Sequence, residues 1–299
     1  MKMFPKISTR HHYIPAFYSK GFTNSSGFFY IYDKQTDHLS RKERSPKSVF
    51  FENDRNTMNL GTETSILEDK FYKELDDKCK VGIENLREKP NSIDLLNTDN
   101  KTDVDVFVLN LFWRMPKTDY AFDRFIREAE INFTTKDGSQ VLDQEQEERL
   151  KNDESYKKFQ RAFLPFKFLR SYLDATEKKS RSYCQLYEKP DNWFLLGDYP
   201  MVFSKTPNTG DDLFEIDFYL PISSNRLYYT SCKKRKLEFE FDMVVRLNAL
   251  IIDQSHRYVC GPDLAYLQRS IEYYKALRAQ NILPEVHRKV FLRTETIIN

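Results

Sequence analysis

The spacing of apolar residues changes twice along the chain, and this order constrains the fold more than any other feature. Before Thr62 the apolar residues form short runs rich in aromatic and β-branched side chains, such as GFFYIYDK, which are typical of strands. From Thr62 to Thr176 they recur every three or four residues, which indicates amphipathic helices. After Lys179 short apolar or alternating runs return between Pro, Asn, Gly and Asp, as in a mixed or antiparallel sheet.

This order predicts an α+β fold. We expect a mixed or antiparallel sheet formed by the N- and C-terminal segments and covered by the helical middle region. No linker of biased composition separates the regions, so we expect residues 1–299 to form a single domain with a helical subregion at about 62–178. Strands do not alternate regularly with helices, and no glycine-rich phosphate loop follows a strand, which disfavours Rossmann and P-loop folds.

Several helix ends are visible in the sequence. Ser65 and Glu68 fit a capping box at the start of the first helix, which Pro90 closes. Pro116 ends the second helix, and Pro165 is expected to interrupt a later one. The predicted helices include Leu67 to Leu86, Val104 to Met115, Phe122 to Ala129, Tyr156 to Thr176, Met243 to Gln254 and Asp263 to Ala279.

Charge and cysteine content exclude several classes of protein. The chain has 47 Lys and Arg against 45 Asp and Glu, a net charge of +2, so no overall field attracts nucleic acid or a membrane. Any site for a polyanion must therefore be local. The four cysteines are far apart without CxxC spacing, which argues against a zinc cluster or a disulfide framework and favours a reducing compartment.

The start MKMFPKISTR lacks the apolar core of a signal peptide, and no stretch reaches the ~20 apolar residues of a membrane span. These features predict a soluble, cytoplasmic protein with no membrane partner.

The segment HHYIPAFYSKGF contains two of the five histidines of the chain. Pro15 presets the first turn of a short helix, and Gly21 would accept a left-handed closing conformation. The partial positive charge of that helix start, with Arg10 adjacent, disfavours imidazolium. It could hold His11 or His12 neutral as a general base or metal ligand. The same N–H groups and Arg10 could instead receive a phosphate.

A structural interpretation of the segment has equal weight. Neighbours in an extended chain point to opposite faces, so one histidine would be buried and bonded and the other exposed. Tyr18 belongs to an aromatic stripe that is more typical of core packing than of a platform for stacking bases.

Other polar residues are candidates for a site. Asp198, in LLGDYP, follows a buried strand and would be a catalytic acid or a turn aspartate. Arg114, in FWRMP, ends a helix and would clamp phosphate or carboxylate or form an ion pair. Asn248 is most simply structural, and Asp253 has the helical spacing to pair with Arg257. The basic residues 233–236, KKRK, are typical of a solvated turn that could touch phosphate.

The chain resembles a largely bacterial family catalogued as domain of unknown function 4238. The resemblance rests on HHYIPAFYSKGF, YIYDK, SPKSVFFE, ETSILEDKFYKELDDK, FWRMP, GDYP, FYLPISSN and LNALIIDQSHRYV, in the family's order and over most of the chain. GDYP stands where the family has Ser-Asp-Asn-Pro, so Asp198 and Pro200 are retained. The resemblance implies no activity.

These residues suggest a nuclease-like phosphodiester hydrolase, in the setting of a defence or toxin-type effector. The predicted catalytic residues are His11, His12, Arg114 and Asp198, with Glu63 or Glu68 as an additional acid. The predicted substrate-binding residues are Arg10, Tyr18, Glu68 and Asn248. A divalent metal is an open possibility as cofactor, and nucleic acid would bind through a local basic site. The alternative is a non-enzymatic regulatory module that binds protein or nucleic acid.

Overall fold

Strands and helices follow one another in the predicted order. The structure, a computed structural model, describes residues 9–58, 66–88, 93–94, 101–129, 141–174, 181–187, 193–208, 211–231 and 241–292. The helices are α1 (Ala16–Ser19), α2 (Lys73–Glu88), α3 (Lys101–Arg114), α4 (Asp119–Glu128), α5 (Gln144–Asn152), α6 (Glu154–Asp174), α7 (Phe241–Gln254), α8 (Leu264–Ala279) and α9 (Leu283–Leu292). The strands are β1 (Arg10–His12), β2 (Tyr30–Asp33), β3 (His38–Leu39), β4 (Phe51–Asn53), β5 (Ile93–Asp94), β6 (Arg181–Leu186), β7 (Leu196–Gly197), β8 (Val202–Phe203), β9 (Phe218–Ser223), β10 (Arg226–Ser231) and β11 (Tyr258–Gly261).

A four-stranded antiparallel sheet joins the two ends of the chain, in the order β3-β2-β11-β7. Its central pair aligns Val259 with Tyr32 and Cys260 with Ile31, across more than 200 residues of sequence. The QTDH segment forms the turn between β2 and β3, as predicted. The α+β prediction, with a sheet built from both terminal segments, is confirmed.

A second, five-stranded antiparallel sheet has the order β5-β6-β10-β9-β8. Every residue of β9, Phe218–Ser223, is buried, which matches the apolar run FYLPIS. A separate two-stranded ribbon pairs β1 with β4.

The middle region forms a helical layer in which α3 packs against α2 and α6. On α2 the buried residues Leu75, Cys79, Ile83 and Leu86 recur at intervals of three and four, as the sequence predicts. The predicted interruption at Pro165 is wrong, because α6 continues through this residue. Proline removes one helical N–H and crowds the preceding turn, but α6 also packs against α3, and such tertiary contacts can outweigh this local cost. The proposed cap residue Ser65 and the closing Pro90 lie outside the described residues.

Within the described ranges no helix is long and apolar enough to cross a membrane. The described cysteines, Cys79, Cys184 and Cys260, are buried free thiols.

Gly21 serves a different purpose from the one that its position suggests. Its backbone is not left-handed, and Lys20–Phe22 continue α1 as a 3₁₀ turn. A Cβ atom on Gly21 would lie 2.5 Å from Nη2 and 2.6 Å from Cζ of Arg87. Glycine is therefore required by a guanidinium packed against the backbone and not by a helix-closing conformation.

That guanidinium donates hydrogen bonds to three backbone carbonyls. Its Nη1 and Nη2 bond to the oxygens of Phe17 (3.0 Å) and Tyr18 (2.6 Å), and its Nε bonds to the oxygen of Ile222 (2.8 Å). Burial lowers the pKa of Arg87 to about 10. Arg87 thus ties the end of α2 to α1 and to β9.

We expect Gly21→Ala to lower the free energy of unfolding by about 2–4 kcal/mol, because the added methyl group displaces buried guanidinium donors from their acceptors. Urea unfolding measures the change, and Lys20→Ala, at the exposed neighbouring position, serves as the control. The double variant with Arg87→Ala tests the cause. If Gly21→Ala costs as much in that background as in the wild type, Arg87 is not the reason for the glycine.

Candidate functional site

The two histidines of the opening motif lie on opposite sides of β1. This strand pairs antiparallel with β4, with His11 opposite Glu52 and His12 opposite Phe51. His11 is completely buried, whereas His12 is half-buried. The alternation of side chains along a strand produces this division. The structural interpretation of the sequence expects one buried and one exposed ring, and His12 is instead half-buried.

His11 accepts a hydrogen bond at Nδ1 from the backbone N–H of Asn56, at 2.8 Å. An accepting nitrogen carries no proton, so the proton of the neutral ring is on Nε2. The side chain of Asn56 also donates to Oε2 of Glu68 at 2.8 Å. Asn56 therefore links the buried histidine to the π-helical segment Leu67–Tyr72 that precedes α2.

His12 is held in an environment that favours the neutral imidazole. Its Nε2 is 3.3 Å from the carbonyl oxygen of Lys47, and its ring is 5.8 Å from that of Phe51. Burial lowers the pKa of His12 below 6.5, and the positive charges of Arg114 and Arg10 lower it further. The hydrogen bond to the carbonyl of Lys47 and the carboxylate of Glu68 act in the opposite direction. Because a carbonyl only accepts, Nε2 carries the proton and Nδ1 is the basic atom.

Arg114 is the buried cation beside these residues. Its Nη1 is 2.7 Å from Oδ1 of Asp76, and its guanidinium lies 4.3 Å from the ring centre of Tyr72. The charges of Asp76 and Glu68 raise the pKa of Arg114 and overcome the opposing effect of burial. Its Nε has no hydrogen-bond partner among the described residues. We call His11, His12, Asn56, Glu68 and Arg114 the histidine cluster.

An ion-pair network around Arg55 contacts the histidine cluster through the backbone of Arg114. Arg55 donates to both carboxylate oxygens of Asp119, at 2.6 and 3.1 Å, to Glu52 at 2.7 Å, and to the carbonyl oxygen of Arg114 at 3.2 Å. Arg161 approaches Asp119 at 3.3 Å. The sequence does not predict roles for Asn56, Arg55 and Asp119. Their bonds join residues up to 64 positions apart, and such contacts leave no pattern in the local sequence.

Asp198 is bonded to the backbone of a tight turn. Its Oδ1 accepts from the N–H of His256 at 2.7 Å, and its Oδ2 accepts from the N–H of Arg257 at 2.7 Å and of Tyr258 at 3.0 Å. Its neighbour Gly197 leaves room for Ser255, whose Oγ would be 2.1 Å from a Cβ atom there. These bonds orient Asp198 toward the start of β11.

Tyr13 of the opening motif lies close enough to Asp198 of GDYP for the two to interact electrostatically. Burial raises the pKa of the Tyr13 phenol well above its ordinary value, and the nearby charges of Asp198 and Glu52 raise it further. The ring of Tyr13 packs edge-on to Phe50, which in turn contacts Tyr258.

The remaining candidate residues are placed as follows. Tyr18 is buried, and its hydroxyl donates to the carbonyl oxygen of Pro221 at 2.5 Å. Asn248 is buried, accepts from the N–H of Leu195 at 2.9 Å, and donates to Trp193 and Tyr266. Arg10 is exposed, with its guanidinium 4.9 Å from the ring centre of Phe51.

The candidate Glu63 and the basic residues 233–236 lie outside the described residues. No group of three His, Cys, Asp or Glu side chains in the described part of the chain is arranged to hold a metal ion.

We expect His12 to titrate with a midpoint below 6.5 in the folded protein, as measured by NMR of its imidazole protons against pH. Glu68→Gln should lower the midpoint further and Arg10→Gln should raise it, since each removes one neighbouring charge. The unfolded chain then binds the proton first, so the contribution of His12 to stability is lost as pH falls below ~6.5. A midpoint at or above 6.5 would contradict this assignment.

Asp198→Asn should lower the free energy of unfolding by about 2–4 kcal/mol, because an amide cannot accept all three N–H donors and presents a donor to at least one of them. Chemical denaturation at neutral pH measures the loss. Asp153→Asn is the matched control, since the exposed Asp153 accepts one N–H, from Tyr156 at 2.7 Å. Equal effects of the two substitutions would rule out a special role for the turn at Asp198.

Comparison with known proteins is consistent with this sequence pattern. A family model described as protein of unknown function, DUF4238, matches residues 10–263, which include β1, the histidine cluster and Asp198. Neither the curated proteins nor the solved structures contain a match. The match covers well over half of the chain, so the protein belongs to the DUF4238 family.

Proposed function

We propose that the chain is a phosphodiester hydrolase that acts on nucleic acid, with His12 as the general base. The observation that supports this most directly is the half-buried imidazole of His12, held neutral by burial and by the charges of Arg114 and Arg10. A neutral imidazole at physiological pH can accept the proton of an attacking water molecule.

The residues around His12 have separate roles in the proposed reaction. Arg10 is exposed, with its guanidinium over the ring of Phe51, and its positive charge would attract a phosphate. Arg114 is buried and held by Asp76, so it is a positioning residue that keeps His12 neutral. His11 and Asp198 support the site by fixing the loop at Asn56 and the turn at His256.

In this mechanism His12 Nδ1 takes a proton from water as the water oxygen bonds to phosphorus. The bond from phosphorus to the leaving oxygen then breaks, and that oxygen receives a proton from solvent or from the imidazolium. The proposal also includes two groups that could assist His12: a divalent metal ion, and Glu63 as an additional acid. We place the activity in the cytoplasm, in a defence or toxin-type setting, since the buried free thiols suit a reducing compartment.

His12→Gln should lower the rate of cleavage of single-stranded RNA or DNA by about 10²–10⁴-fold, the usual effect of removing a general base. The melting temperature should stay close to that of the wild type, because His12 is half-exposed. His38→Gln makes the same change at an exposed histidine of β3 and should retain full activity. The proposal fails if the wild type cleaves neither RNA nor DNA, or if His12→Gln is as active as His38→Gln.

A non-enzymatic binding module is the second candidate, and one observation favours it. Three members of the histidine cluster are bonded to one another, in the link from His11 through Asn56 to Glu68. Such a network would hold a fixed surface without reacting. Under this alternative, nucleic acid or protein binds without turnover, and His12→Gln leaves the affinity unchanged.

A further inference from the structure

Two adjoining surface cavities share one lysine, Lys34, which directly follows β2. The first has a volume of about 440 Å³, and the second has a volume of about 520 Å³. The first is lined by Lys34, Pro116, Lys117, Gln254, Ser255 and His256. The second is lined mainly by Tyr32, Lys34, Asp37, Tyr274, Lys275 and Arg278. We call the two cavities together the lysine cleft.

Two ammonium groups meet at the C-terminal end of α7. Lys34 Nζ donates to the carbonyl oxygens of Asp253 and Ser255, the latter at 3.0 Å, and Lys117 Nζ donates to that of Gln254 at 2.7 Å. Cations at this end of a helix offset its negative dipole, so each lysine has a structural role.

The second lysine adds an electrostatic cost. Desolvation lowers the pKa of Lys117, and the positive charge of Lys34 lowers it further. Lys34 is itself desolvated, and the charge of Arg278 on α8 also lowers its pKa, whereas the nearby carboxylates of Asp253 and Asp198 act in the opposite direction. An ammonium has three N–H donors, and among described residues Lys34 bonds to two acceptors and Lys117 to one. Donors on both lysines therefore remain for a ligand in the cleft.

The second cavity continues the positive surface. Lys275 and Arg278 lie one turn apart on α8, and Arg278 donates to the hydroxyl of Tyr274 at 3.0 Å. Among the described residues that line this cavity, Asp37 carries a carboxylate, and it pairs with Lys275 at 2.5 Å. Four cations thus lie along the cleft, with Lys34 in the shared wall. Asp37 is in its lining, and the carboxylates of Asp253 and Asp198 are near enough to act on Lys34 and Lys117.

We propose that the lysine cleft binds the diphosphate group of a small molecule, with Lys34 in contact with it where the two cavities adjoin. Lysine ammonium groups bind phosphate as point charges and form strong charge-assisted hydrogen bonds. The volume of each cavity lies within the ~300–1,000 Å³ usual for small-molecule sites. The site is distinct from the histidine cluster and does not depend on hydrolase activity.

Titration calorimetry of the full chain tests the proposal, with inorganic pyrophosphate and adenosine diphosphate as separate probes at the same ionic strength. Lys34→Gln and Lys117→Gln should each weaken pyrophosphate binding by about tenfold or more, because each removes a charge-assisted contact. Lys289→Gln is the control, since it makes the same charge change at an exposed lysine of α9 that pairs with Glu285. Its affinity should stay within about twofold of the wild type.

Two further variants keep the test decisive if either substitution at the helix end prevents folding. Arg278→Gln, at an exposed position in the second cavity, should also weaken binding, and Asp37→Asn should strengthen it by removing the carboxylate. Tighter binding of adenosine diphosphate than of pyrophosphate supports a nucleotide as the source of the group, and equal binding supports the free diphosphate. Absence of pyrophosphate binding overturns the proposal, as does an equal loss in Lys289→Gln. If the chain binds long RNA but neither pyrophosphate nor adenosine diphosphate, the proposal is wrong and the cleft is a surface for nucleic acid.

Discussion

The arrangement of the N-terminal motif depends on the buried guanidinium of Arg87. A charge in a protein interior is tolerated only when its donors are satisfied, and those of Arg87 are taken by carbonyls of Phe17, Tyr18 and Ile222. This cation joins α1, α2 and β9 at one point. It also explains the glycine of the motif, since any side chain at Gly21 would occupy the space of the guanidinium.

The helical turn α1, which Arg87 anchors, determines where the two histidines lie. From α1 the chain runs back through Pro15 to β1, whose pairing with β4 decides which ring is buried. His11 becomes part of the interior and holds the loop at Asn56, while His12 reaches the surface beside charged groups. Two identical neighbouring residues thus have different physical roles because strand geometry gives them opposite environments.

What the sequence could predict was determined mainly by local patterns. Helices such as α2, α7 and α8 were located to within a few residues, because apolar spacing and end signals are local. Contacts between distant segments left no such signal, as with the pairing of Arg55 and Asp119. The expected pair of Asp253 and Arg257 is wrong for a related reason. The helix ends at Gln254, and Arg257 then pairs with Asp33 of β2 at 3.0 Å.

The net charge of the chain is near zero, but some of its arginine and lysine side chains lie in different environments. Arginine keeps its charge when buried, and its planar fork matches carboxylates, so Arg55 and Arg114 lie inside the protein, paired with Asp119 and Asp76. Lysine loses its proton more readily on burial, so an ammonium such as that of Lys34 must stay near water. Arg55 and Arg114 are thus used inside the protein while Lys34 and Lys117 line a surface cavity, and the buried Lys101 is an exception that pairs with Asp105. The position of the anion site that we propose would follow from that division and not from the total charge.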